Sequence, residues 1–578
     1  MTIVKKNKDV DFGEEPDAGI KAGYEIVERA LKDALDNNNI DEEAFKGYFL
    51  EKVHIIHYRV PKDVDLNHYF EVMNSRGEQL EKHEIVKAKL SSQLKNDNKA
   101  MNGFCQIWDA CSEMSVYIQQ KLQKQTGIFG KDMSGFLPGT FDDVCYALNN
   151  NDGNIEMRSI ESLLDEAVYK KEGKEVVDRN DSYLPIIDFP NFLLIVLKIT
   201  IMRRTDTGVA PLDIALDDKE LIKEFDKVKN LTPDFVKLFA YNLLRAKYFL
   251  DNYMVHHIND AERTEENPWK LQIYCNDETC VKRNFFEENG EQKEKTRLKQ
   301  RELVNLLSMF EVAFTARQRK NYLFYCLLFL FDNSGKDEYL DFVRKLADKY
   351  FFDVYLDAGK LNTRKQPKPD SFDKTVIQDG KLNVKLEQEA ISRSFNEVYP
   401  TGCDTIPLYV FNYTDYRLWK KYADELSGSN VMKGDERRSR FFAELGCSDF
   451  NLDTFNHFYF SRTRKSLEHY YPQAKAVKNK ENGGHPTLEE INCFGNFAMI
   501  GSDANSSGSD WSPKVKREHY LASKINKVST ASLKLMVMMQ MCHDNSERNC
   551  ELEEEWNVDD MRTHQEKMTS IIMRPTVA

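Results

Sequence analysis

SLEHYYPQ, residues 466–473, places an acid and a histidine side by side between aromatic, strand-forming residues and a proline. Taken alone, Glu468-His469 describes an ordinary strand end at a surface. The surrounding sequence changes that reading. Upstream stands FNHFYFSRTRK (455–465), and downstream NCFGNFAMIGSDANSSGSDWSPKVKREHYL (492–521). Together they spell a strand, Glu-His, a loop, Gly-Asn, a short apolar strand, an Asn-rich polar loop and a helix entered near Pro513.

The rest of the chain sets the bounds. At 578 residues it exceeds one core and implies two to four domains. Charged residues make up 30% and hydrophobic ones 41%, the composition of a soluble globular chain, and scarce glycine and proline favour helices. The apolar runs FLLIVLKITIM and YLFYCLLFLF are too short to span a bilayer and read as buried helices; the N-terminus has no apolar core of a signal peptide. Eleven cysteines show no paired framework, as expected of reduced thiols in the cytoplasm. A net charge of −13 argues against coating nucleic acid over the whole surface, yet leaves room for a local basic groove.

Along the chain, AGIKAGYEIVERALKDALD carries apolar residues at helical spacing. KVHIIHYRVP alternates and reads as a strand closed by Pro61, and two helical patterns then meet at Asn74-Ser75-Arg76-Gly77. Residues from about 100 to 355 read as mainly helical, with VNLLSMFEVAFTARQRKNYLFYCLLFLF among the clearest segments. Residues 356–395 read as a surface connection and the C-terminal tail as a closing helix; no internal repeat is visible.

The order of elements around Glu468 is that of a ββα-metal finger, and this region resembles the HNH endonuclease family. The nine-residue step from Asn496 to Asn505, the following SSGSD and EHYYPQ itself look very like the HNH domain of RNA-guided CRISPR nucleases. The resemblance implies that His469 is the general base, Asn496 an orienting residue, and Glu468 and Asn505 the ligands of a divalent metal. The charged insertion between Gln473 and Ile491 departs from the family. These residue types suit phosphodiester hydrolysis. A hard cation neutralises charge on phosphate oxygens, and an imidazole of ordinary pKa ~6.5 accepts a proton from water at cellular pH. Oxygen ligation without cysteine points to Mg²⁺ or Mn²⁺. Arg462, Arg464, Lys465, Lys514, Lys516 and Arg517 flank the motif and are expected to contact DNA phosphates.

A second resemblance lies near the N-terminus. YFEVMNSRGEQLEKHEIVKAKL, through Asn74, Arg76, Gly77, Leu80 and Lys87, is similar to the helix-turn-helix that closes the N-terminal domain of GmrSD-type restriction nucleases. That family joins a ParB-like N-terminal domain to a helical middle and a C-terminal HNH domain, and attacks modified or foreign DNA. The family's Asp-Gly-Gln-Gln-Arg motif is missing, and no Walker-type loop is present.

The expectation is therefore a cytoplasmic, predominantly α-helical α+β protein without a membrane segment. Residues 1–98 would be the C-terminal part of a ParB-like domain, 99–360 a helical middle domain, 361–440 a connecting segment and 441–578 an HNH nuclease domain. Its expected role is metal-dependent cleavage of foreign or modified DNA in anti-phage defence, with a second subunit supplying the sensor motif. Two alternatives stand beside it: a non-catalytic DNA- or partner-binding scaffold, and an RNA-directed nuclease.

Overall fold

A computed structural model describes residues 18–37, 40–52, 81–122, 125–150, 183–204, 208–258, 268–277, 280–287, 293–427, 435–477, 485–501, 511–522, 532–548 and 556–576. The chain divides into two compact units, Met1–Gln79 and Leu80–Ala578. In the first, the helix expected from AGIKAGYEIVERALKDALD is present as Ala18–Asn37, followed by Glu42–Lys52. Tyr24, Ile26, Val27 and Leu31 on the former, and Tyr48 and Phe49 on the latter, are exposed. The expected strand VHIIHYRV and the turn residues Asn74, Arg76, Gly77 and Leu80 lie outside the described residues.

Lys87 is described and belongs to the larger unit. Its helix, Lys82–Ser91, buries Val86 and Leu90, and the Lys87 ammonium reaches Asp109 at 2.5 Å. The first unit thus ends at Gln79, short of the expected boundary at residue 98, because this helix packs with the helices that follow it.

The larger unit is helix upon helix. Asp188 caps helix Phe189–Met202, its side chain accepting from the Asn191 amide at 2.8 Å, and Pro190 stands in the first turn where no donor is needed. Its residues Asn191 through Ile201 are buried, as expected for FLLIVLKITIM. Among the described residues no helix is long and apolar enough to cross a membrane. The run VNLLSMFEVAFTARQRKNYLFYCLLFLF, one segment by pattern, is two helices, Glu294–Ala313 and Ala316–Asp332. Thr315 separates them: it opens a reciprocal capping box in which the Gln318 side chain accepts from the Thr315 amide at 3.0 Å.

Among the described residues four small antiparallel sheets of two strands each punctuate the helices: β1 (His256–His257) with β2 (Trp269–Lys270), β3 (Gln272–Asp277) with β4 (Cys280–Asn284), β5 (Ile377–Gln378) with β6 (Lys381–Leu382), and β7 (Ser466–His469) with β8 (Phe497–Ile500). The class is α+β and predominantly helical, as the sequence indicated.

One cluster of buried apolar residues runs from Val86 to Ile572. Among the described residues, the expected partition of 99–578 into middle, connection and C-terminal domain therefore has no gap in packing to mark it. Helix Leu408–Glu425, inside the supposed connection, is buried along most of its length. Its Asp415, fully buried, accepts from the Lys534 amide at 2.9 Å and lies 3.8 Å from the Arg464 guanidinium.

The last helix, Val558–Ile572, lies against the turn Phe494–Asn496 that leads into β8. Gly495 makes that approach possible, for a Cβ there would meet the Met561 carbonyl oxygen at 1.9 Å. Gly495→Ala is accordingly expected to force the helix and turn apart at a cost of about 1–3 kcal/mol. A lowered thermal midpoint of the full chain checks this; an unchanged midpoint contradicts the close packing.

Candidate active site

The strands β7 and β8 pair with Ser466 opposite Ile500, Leu467 opposite Met499, Glu468 opposite Ala498 and His469 opposite Phe497. Helix Pro513–Ala522 follows, so strand, strand and helix occur in the order the sequence led us to expect. Successive residues of a strand face opposite sides, which separates Glu468 from His469. Glu468 is only 3% exposed and pairs with Lys516 of the helix. His469 is partly exposed, its ring 4.3 Å from that of Phe497, centre to centre.

The Lys516 ammonium lies among three oxygens. Besides the Glu468 carboxylate it donates to the carbonyl of His469 at 2.6 Å and to that of Tyr470 at 3.3 Å. This single cation ties the helix to the end of β7. Burial lifts the Glu468 carboxyl above its ordinary range, and the charge and hydrogen bond of Lys516 pull it back.

Asn496, fully buried, holds the loop on the other side of His469. Its Oδ1 accepts from the Tyr471 amide at 2.8 Å and from the Trp556 indole at 3.1 Å; its Nδ2 donates to the carbonyls of Ile491 at 3.0 Å and Tyr471 at 3.2 Å. One amide thereby joins the chain after His469, the turn before β8 and the C-terminal segment. Beneath the turn, Lys534 donates to the carbonyls of Phe494 at 2.8 Å and Phe497 at 2.6 Å. Burial pushes its ammonium down to about 7, against the smaller raising influence of the neighbouring Cys493 and Asp415.

The His469 ring has two close polar neighbours: Asn492 Oδ1 at 2.9 Å from Nε2, and the Gln473 amide nitrogen at 3.3 Å from the same atom. Burial moves the imidazole below its ordinary range; the Asn492 contact raises it, Lys516 lowers it further and Asp404 raises it.

The six basic residues expected at phosphates do not share one environment. Lys465 and Lys514 are exposed, and Arg517 is half-buried. Arg462 is half-buried with its guanidinium 4.9 Å above the Trp269 ring. Arg464 and Lys516 turn inward and are 2% and 1% exposed. Arg464 donates to the Tyr459 carbonyl at 3.0 Å and faces Asp415; Lys516 neutralises Glu468. Charges committed to buried carboxylates cannot also reach a phosphate, so these two are internal counter-ions in place of the expected DNA contacts. Asn505 lies outside the described residues. Among the described residues no group of three or more His, Cys, Asp or Glu converges in the manner of a metal cluster.

The sequence reading missed Asn492, Lys534 and Trp556. A lone lysine within the apolar run ASLKLMVMM was a signal of a buried cation; Asn492 among polar turn residues offered none.

Strand pair, helix, buried ion pair and bracing amide all fall within residues 413–571, which match the family described as GmrSD restriction endonucleases, C-terminal domain. This part of the chain is a restriction endonuclease domain. The likeness to GmrSD restriction endonucleases rests on this domain, and the ParB-like N-terminal part lies beyond the matched residues. The match starts inside helix Leu408–Glu425, earlier than the expected boundary at 441, in accord with the anchoring of Asp415 to Arg464 and Lys534. No curated protein and no solved structure matches the chain.

Removing one member of a buried ion pair leaves the other charge uncompensated, at a cost of about 3–5 kcal/mol. Lys516→Met is expected to lose that much in chemical denaturation, and adding Glu468→Gln to restore a large part of it. Equal stability of wild type and the single variant would show that the pair does not hold helix to hairpin.

Proposed function

We propose that the C-terminal domain hydrolyses DNA phosphodiesters with a divalent metal, in the HNH manner, and serves restriction of foreign or modified DNA in anti-phage defence. The observation that carries this reading is the position of His469: a partly exposed imidazole at the end of β7, held by an amide on one edge and an aromatic ring on its face. Such a ring is fixed in place and open to a water molecule, the requirement for a general base.

The chemistry of the donors suits Mg²⁺ or Mn²⁺. Between hairpin and helix a cation, Lys516, is already surrounded by the Glu468 carboxylate and two backbone carbonyls, all hard oxygens. Glu468 and Asn505 would hold the metal, which when bound supplies charge to neutralise phosphate oxygens. An ammonium and a divalent ion repel strongly at contact. At ~4 Å and an effective dielectric of ~20 the cost is about 8 kcal/mol, twice that of a unit pair. Lys516 and a metal held by Glu468 would therefore compete for the same carboxylate. Lys465 and Lys514, exposed on either side of the hairpin, would meet phosphates and fix the position of the duplex without reading its sequence.

The N-terminal unit supports a further part of the proposal. The exposed apolar residues of helices Ala18–Asn37 and Glu42–Lys52 suit a second subunit, or an additional N-terminal segment, that carries the sensor motif. The protein acts in the cytoplasm, where its DNA substrate is found.

Nicking of supercoiled plasmid tests the reading. The wild-type chain, with its partner where one exists, is expected to nick in Mg²⁺ or Mn²⁺ and to stop in EDTA. His469→Ala should be slower by on the order of 10²–10⁴-fold while still binding DNA. Binding without metal-dependent cleavage by the wild type would favour the scaffold alternative, and cleavage of RNA in preference to DNA would redirect the substrate. A second measurement addresses the ligands: Mn²⁺ titration calorimetry should show weaker binding for Asn505→Ala. Equal affinity removes Asn505 from the site.

A further inference from the structure

We propose that Asn492 is a positioning residue that holds the His469 ring with its proton on Nε2, leaving Nδ1 as the nitrogen that accepts a proton from the attacking water. The inference rests on the nuclease reading of His469 but adds a residue and an atom that neither the motif nor the family match assigns.

A neutral imidazole carries one N–H and one lone pair, and the hydrogen bond at one nitrogen decides what the other does. The Asn492 side-chain oxygen, 2.9 Å from Nε2, can only accept, so Nε2 is the donor there. Gln473 places its amide nitrogen 3.3 Å from the same Nε2, which would ask Nε2 to accept instead. The two demands conflict, and the shorter contact comes from the better-anchored residue. Asn492 ends the short helix Leu488–Ile491, which is opened by a capping box between Thr487 and Glu490. Its backbone is held on both sides: the amide donates to the Leu488 carbonyl at 3.2 Å, and the carbonyl accepts from Gly402 at 2.7 Å. The preceding carbonyl, of Ile491, is taken by Asn496 at 3.0 Å. Gln473 has no comparable frame; it is exposed on a single 3₁₀ turn, Gln473–Lys475, and a rotation of its amide brings an oxygen to the ring.

The alternative arrangement, with both amides donating to Nε2, would place the ring proton on Nδ1. Neither ring nitrogen would then have a free lone pair. Only the Nε2–H form leaves a base, and Nδ1 makes no hydrogen bond to any described residue. Phe497, its ring 4.3 Å from that of His469, limits rotation about the side-chain bonds and keeps this edge facing Asn492. Asn492 and Asn496 thus divide the work: Asn496 fixes the backbone around His469, and Asn492 fixes the ring.

The test is the ring tautomer itself, read from the ¹⁵N shifts of the full-length chain labelled selectively at its 12 histidines, with His469→Gln for assignment, at a pH where the ring is neutral. Wild type is expected to show the Nε2–H form. Asn492→Leu, of similar size but without an acceptor, should give a mixture of tautomers; Asn492→Asp, which again can only accept, should restore Nε2–H. In plasmid nicking the leucine variant is expected to lose 10- to 100-fold in kcat with little change in KM, the usual worth of a group that orients another. The aspartate variant should recover most of it. An Nδ1–H signal in wild type overturns the proposal even if Asn492→Leu fails to fold, and so does an unchanged tautomer in that variant. The spectra need no cleavage, so a protein that does not nick but shows this tautomer pattern rejects the nuclease reading and leaves the role of Asn492 in place.

Discussion

The amide of Asn496 is the interaction on which the C-terminal domain depends. Four polar groups from three separated parts of the chain converge on it in the interior. A buried donor or acceptor without a partner costs about 1–3 kcal/mol, so each of these groups needs that amide where it is. The requirement propagates outward. The turn before β8 must be tight, so Gly495 admits the last helix against it, and Lys534 caps the carbonyls that the turn exposes on its inner side. With both ends of the hairpin fixed, the alternation of β7 sends Glu468 inward and leaves His469 at the edge.

The domain uses charge in two ways. Inside, Arg464 with Asp415 and Lys516 with Glu468 join elements distant in sequence, and neither pair gives its charge to solvent. Outside, Lys465 and Lys514 remain exposed near the same hairpin. A chain of net charge −13 can present a local positive edge to a polyanion in this way, since the field felt at contact is that of the nearest groups. The buried pairs are costly to desolvate and are held by hydrogen bonds to carbonyls, which explains their placement at junctions between elements.

Much of this arrangement was legible in the sequence. The aromatic, strand-forming residues around Glu468-His469, the Gly495-Asn496 turn and the helix entered near Pro513 sufficed for the order of hairpin and helix, because each is a local signal. The long apolar helices of the middle region were equally visible. The direction in which Arg464 and Lys516 point was not, because a side chain's partner is decided by tertiary packing. Asp415 stands 49 positions before Arg464, on an aromatic helix, YVFNYTDYRLW, that falls within the expected connecting segment 361–440. The same helix bears on the expected boundaries: charged loops divide the sequence, while one continuous core joins the described elements on either side of them. Asn492 was hidden for a different reason. An asparagine at a helix end is common, and nothing local marks that its oxygen faces a histidine 23 residues away.

Hydrogen exchange of the full-length chain, wild type against Asn496→Ala, tests most directly whether one amide organises this domain. The account requires the amides of residues 466–471, 497–500 and 556–572 to lose protection together in the variant, while helix Pro233–Tyr253 keeps its wild-type protection. Wild-type protection of the hairpin in Asn496→Ala, or loss confined to Tyr471, would contradict it.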